Sequence, residues 1–198
     1  MNANTMYTPV RARVALAALL IPLSLGALAG CSPSAPAARG LASSDRALTA
    51  FIFLSTECPL SQNYTKPLNE LRSAYDLATL DLVGVFPLSD DDDERVEAFC
   101  KKYPVQFSTR LDHGYELVYA LRASVTPEVF LLGRDDELIY SGKIDNWAVE
   151  LGKTRRVATA HYLKDAIDAH LQGRAPSVDH VDPVGCFLPE EPYVAQTE

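Results

Sequence analysis

The segment Ala47–Thr56, ALTAFIFLST, is an almost unbroken run of apolar and β-branched residues of strand length. A strand without polar alternation has no face to give to water, so it needs cover on both sides and points to the interior of an α/β sheet. The period then changes, with Leu60, Tyr64, Leu68, Leu71 and Tyr75 recurring every three or four residues, as along one helix face. Cys58 therefore stands where a buried strand ends and a helix begins. Pro59 suits the first helical position, where no N–H partner is needed, whereas Pro67 falls inside the helix and is expected to kink it.

The rest of the chain continues the alternation. Leu80–Leu88 reads as a second buried strand, and SDDDDERVEAFCKKY as a helix capped by Ser89 with aspartates in its first turn. A metal site in the aspartate run is disfavoured because the glycine of a calcium loop is missing. PVQFSTRLD gives a short extended piece and HGYELVYALRA a short helix. A β-hairpin follows, with strands Glu128–Leu132 and Glu137–Gly142 around a turn at Gly133–Asp136. Thr154–Gly173 is an amphipathic helix ending at Gly173. This order implies a central mixed sheet flanked by helices. The tail carries Pro176, Pro183, Pro189 and Pro192, which makes an irregular segment the expectation there.

At 198 residues the chain suits one domain with tails. Arg11 and Arg13 precede the apolar run VALAALLIPLSLGALAG, an export signal in outline, and LAGC at Leu28–Cys31 resembles the bacterial lipoprotein signal in which the cysteine is acylated. The expected division is a signal peptide over 1–30, a flexible tether over 31–46, a folded domain over 47–173 and a tail over 174–198. Cys31 would then anchor the chain by lipid to the periplasmic side of a bacterial membrane, and Ser32 favours the outer one. The formal charge of −8 becomes more negative once Arg11 and Arg13 are removed, which argues against nucleic acid as a partner.

With Cys58-Pro59-Leu60-Ser61 at a helix start, Val125-Thr126-Pro127-Glu128 before a hairpin strand, Gly142 to Asp145 after it, and a late Gly185-Cys186, the chain resembles the thioredoxin-like superfamily. Within it, the chain looks like the bacterial redoxin-domain proteins of the alkyl hydroperoxide reductase and thiol-specific antioxidant group. The resemblance covers roughly residues 47–188. It implies a thioredoxin-like fold, a nucleophile at Cys58, and a cis bond before Pro127 that leaves the backbone of Thr126 open to a bound peptide. Pro59, Thr126 and Pro127 would thus line a substrate site for a protein disulfide or thiol, with no cofactor and no metal.

Independently of resemblance, a cysteine at a helix N-terminus faces unpaired N–H groups and the positive end of the helix dipole, which favour thiolate. Ser61 stands where a second cysteine would resolve a mixed disulfide, so another sulfur is needed. Cys100 shares a helix face with Val96, Phe99 and Tyr103 and reads as a small buried hydrophobe. Cys186, beyond the last helix, can in principle fold back over Cys58, either as a permanent staple or as a reversible partner. Three functions follow: a thiol-disulfide oxidoreductase with Cys58 and Cys186; a peroxide reductase, for which Ser55 fills the expected hydroxyl position but Phe51 replaces the expected proline; and a non-enzymatic copper- or partner-binding module. Glu57 is expected to face solvent, Trp147 to wall a groove or join the core, and His113, His161, His170 and His180 to be surface or capping residues.

Overall fold

The computed structural model describes residues 46–192, so the expected signal peptide, Cys31 with its expected acylation, and the expected tether up to residue 45 lie outside the described residues. The elements begin with β1 (Leu48–Phe53), α1 (Pro59–Ala74), β2 (Leu80–Phe86), α2 (Asp93–Lys102), β3 (Ser108–Leu111) and α3 (Glu116–Leu121). They continue with β4 (Val125–Thr126), β5 (Glu128–Gly133), β6 (Leu138–Gly142), β7 (Ala148–Glu150), β8 (Lys153–Thr154), α4 (Tyr162–Leu171), β9 (His180–Val181) and β10 (Cys186–Phe187). Six strands form one sheet in the order β3-β2-β1-β5-β6-β9. β1 runs parallel to β2 and antiparallel to β5, so the sheet is mixed as expected. The architecture is the thioredoxin-like one.

Every residue of β1 is buried, because the strand is paired on both edges and covered on both faces. One face packs Leu48, Ala50 and Ile52 with Leu68 of α1 and Ile167 of α4; the other packs Phe51 and Phe53 with Leu117 and Leu121 of α3. α1 runs through Pro67 as one continuous helix. Asp112 is buried and accepts from the N–H groups of Leu117 and Val118 at the start of α3, satisfying donors a short helix leaves unpaired.

Three expectations need correction. α2 is capped by Asp92, whose carboxylate accepts from the Arg95 N–H at 2.9 Å, and not by Ser89, because the chain first turns Asp91 inward and buries it. α4 starts at Tyr162 rather than Thr154. Thr154 pairs with Ala148 in the β7–β8 ribbon, and the Asn146 side chain accepts from Thr159 N–H and Ala160 N–H, which holds the intervening segment as a loop. Lastly, the tail is not wholly irregular: β9 adds a parallel edge strand beside β6, and β10 pairs antiparallel with β4.

The β9 attachment depends on Gly142, whose φ is +113° and at which an added Cβ would sit 1.8 Å from the Val181 carbonyl oxygen. Only a residue without a side chain admits that approach. Gly142→Ala is expected to lower stability by about 1–3 kcal/mol, read as a lower urea midpoint.

Candidate functional site

The end of β1 fixes the position of Cys58. Leu54 N–H continues the pairing to the Val85 carbonyl at 2.7 Å, after which Ser55, Thr56 and Glu57 form a turn closed by Cys58 N–H on the Ser55 carbonyl at 3.2 Å. Cys58 is the N-cap of α1, and its carbonyl accepts from Gln62 N–H at 3.0 Å, with Pro59 as the first helical residue. Ser61, fully buried, accepts from Ser55 N–H at 3.2 Å through its hydroxyl and so ties the first turn of α1 to the turn before it. The sulfur is held at a helix start by backbone on both sides.

The tail brings the second sulfur. Cys186 lies opposite Thr126 in the β10–β4 pair, and Leu188 N–H donates to the Ser124 carbonyl at 2.9 Å. This places Cys186 Sγ 3.0 Å from Cys58 Sγ, both as free thiols. The Cys58 thiol also lies 3.1 Å from the Thr126 carbonyl oxygen, which accepts from it. The Thr126–Pro127 bond is cis. Cys58, Pro59, Thr126, Pro127 and Cys186 thus come together around one sulfur pair.

The two thiols are driven apart in acidity. Burial by itself pushes Cys58 up, but hydrogen bonds from Cys186, from the Ser61 amide and hydroxyl and from the Thr126 side chain bring it below the ordinary thiol value. Cys186 is pushed up to about 11, by burial first and then by its hydrogen bond to, and charge repulsion from, Cys58. When the pair loses its first proton, the charge therefore falls on the helix-start sulfur, with the tail sulfur as donor.

Two buried carboxylates at the site were not singled out by sequence reasoning. Asp91 accepts from Thr56 N–H at 3.0 Å and from Thr56 Oγ1 at 2.5 Å, which pins the turn before Cys58; burial raises its pKa. Nothing in a run of four aspartates distinguishes the one that turns inward. Glu128 accepts from Ser124 N–H at 2.7 Å and Val125 N–H at 3.2 Å, so it shapes the approach to Thr126 from below, and burial raises its pKa as well. Its position directly after Pro127 was the available signal.

The remaining candidates lie elsewhere. Glu57 is exposed beside Arg95, and Cys100 packs against the core with its thiol pushed up by burial. Trp147 meets Tyr64 edge-on at 5.5 Å beside a cavity of about 630 Å³ lined by Tyr64, Leu71, Ile144, Trp147 and His161, none of them a cysteine. His113 contacts the Asp91 carbonyl, His161 occupies the N-cap position of α4 without a capping hydrogen bond from its side chain, and His180 bonds Ser141 Oγ at 2.8 Å. Among the described residues, no group of three or more His, Cys, Asp or Glu side chains is placed to hold a metal ion.

No protein-family model matches the chain, and no curated protein matches it either. Solved structures do. The hypothetical protein SMc02350 from Sinorhizobium meliloti 1021 superposes with a TM-score of 0.65 at 26% identity over 77% of this chain and 82% of that one. An uncharacterized conserved protein from Geobacillus kaustophilus gives 0.64 at 22% identity over 75% and 79%. A putative thiol:disulfide interchange protein DsbE from Chlorobium tepidum gives 0.48 at 15% identity over 66% and 81%. The fold is thioredoxin-like, and it brings Cys58 and Cys186 together beside the cis Thr126–Pro127 bond.

Proposed function

We propose that the protein is a thiol-disulfide oxidoreductase acting on protein disulfides, with Cys58 as nucleophile and Cys186 as resolving thiol. The observation that carries this reading is the 3.0 Å approach of Cys186 Sγ to a Cys58 sulfur whose acidity is enhanced while its neighbour's is suppressed. In the reductive direction, Cys58 thiolate attacks one sulfur of a partner disulfide. A Cys58–partner bond forms, the partner's own disulfide breaks, and the released thiolate takes up a proton. Cys186 then gives up its proton to solvent and attacks Cys58 Sγ. The Cys58–Cys186 disulfide forms, the mixed disulfide breaks, and the partner's second thiolate is protonated. The partner gains two electrons and the sulfur pair loses two. Export and lipid attachment at Cys31 would place this chemistry in the oxidising cell envelope; that part rests on the N-terminal sequence alone.

Cys58→Ser is expected to abolish reduction of a protein disulfide. Cys186→Ser is expected to leave the first attack intact and stop at a mixed disulfide on Cys58, read by mass spectrometry of the acid-quenched protein. Because Cys58 is shifted below the ordinary thiol value and Cys186 is pushed up to about 11, thiolate absorbance in a Cys100→Ala background should rise in two steps from this pair, Cys58 first. Cys186→Ala, which deletes a donor to the thiolate, should move the first step to higher pH. A purely structural pair would resist reduction below about −300 mV; the catalytic reading expects half-reduction between roughly −270 and −120 mV in graded thiol redox buffers.

A further inference from the structure

Cys58 is only 2% exposed, and the chain's own tail covers it. A partner's strand and β10 cannot both pair with the Thr126 edge, so the tail must leave that edge before a partner's strand docks beside Cys58. The tail reaches that place as a strand: Gly185 to Leu188 runs antiparallel beside Val125–Thr126, with Cys186 opposite Thr126. The pairing is short, and the residue after the cysteine, Phe187, is 81% exposed. β10 is held by two paired residues and by the partly buried Val184, Cys186 and Leu188, while Phe187 adds nothing to its hold. The residue before the cysteine is more tightly specified, since a Cβ on Gly185 would lie 2.2 Å from the Thr126 carbonyl oxygen.

We propose that Gly185–Leu188 stands in for the substrate. The β4 edge takes an extended polypeptide segment of the partner protein, with glycine immediately before its cysteine; the tail leaves that edge to admit the segment and returns to it to expel the product. The inference rests on the oxidoreductase reading above and adds the gating of the site by the tail and the glycine before the partner's cysteine. Delivery of Cys186 on a competing strand couples resolution to product release: β10 re-pairs with Thr126 and displaces the partner's strand while its sulfur is still bonded to Cys58. Cys186 thiolate then attacks Cys58 Sγ in line with that bond, so that the Cys58–Cys186 disulfide forms, the Cys58–partner bond breaks and the partner leaves as a thiolate that takes up a proton.

The test uses the reduced full chain and three probes. One is the small disulfide 5,5′-dithiobis(2-nitrobenzoate). The others are peptides of the tail sequence from Pro183 to Glu190 whose cysteine carries thionitrobenzoate as a mixed disulfide, one with glycine before the cysteine and one with alanine. Thionitrobenzoate release that depends on Cys58 is followed in wild type, in Gly185→Val and in Leu188→Pro, the last lacking the N–H that donates to Ser124. Both loosened variants should react at least ~10-fold faster than wild type with the glycine peptide, and the glycine peptide should outrun the alanine peptide by ~10-fold in every form. Equal rates for the two peptides in wild type, a comparison that needs no variant, would overturn the proposal. So would a glycine-peptide rate in the loosened variants within ~2-fold of wild type. If Cys58→Ser releases thionitrobenzoate from the small disulfide as fast as wild type, the oxidoreductase reading itself fails.

Discussion

The site hangs from the double burial of β1. Because that strand is paired on both edges and packed on both faces, its end has one position, and the turn that follows is pinned again by Asp91 through Thr56 and by Ser61 through Ser55. Cys58 inherits this rigidity. Cys186 does not: its strand pairs over two residues, at the edge of the molecule. A Cys58 held by several elements facing a Cys186 on a two-residue strand suits the proposed mechanism, in which one sulfur stays and the other moves.

The acidity of Cys58 is produced without a cationic neighbour among its named contributors. Burial opposes the thiolate, and thiol, hydroxyl and amide dipoles from Cys186, Ser61 and Thr126 more than offset it. Such dipoles act at contact distance and carry no net charge, so dissolved salt has little to screen. The overall acidity of the chain acts on a different scale, in the approach of partners rather than in the state of the sulfur.

The parts legible in sequence were those with local signatures. β1, α1 and the Cys58-Pro59 junction follow from a change of hydrophobic period within one stretch, and the β5–β6 hairpin from a turn between two apolar runs. The start of α4 misled because the residues from Thr154 onward are compatible with helix, while the Asn146 side chain, far from them in pattern but near in space, claims their N–H groups. Asp91 was hidden for a related reason, since which aspartate of a run is buried depends on Thr56 of another element. The pairing of Cys186 with Thr126 is likewise a long-range fact. Sequence made the meeting of the two cysteines reasonable, and left the strand that brings it about out of sight.

The clamp at Gly142 and Val181 bears on how far the tail can stray. With Val181 hydrogen-bonded to Lys143 N–H, only Asp182 to Gly185 separates that fixed point from Cys186, a span on the order of 17 Å when stretched. An undocked Cys186 therefore remains within a small sphere around Cys58, at a local concentration in the millimolar range. On the proposed mechanism a partner strand would compete against a thiol that never dilutes, and its stay on the edge would be set by a clock built into the chain.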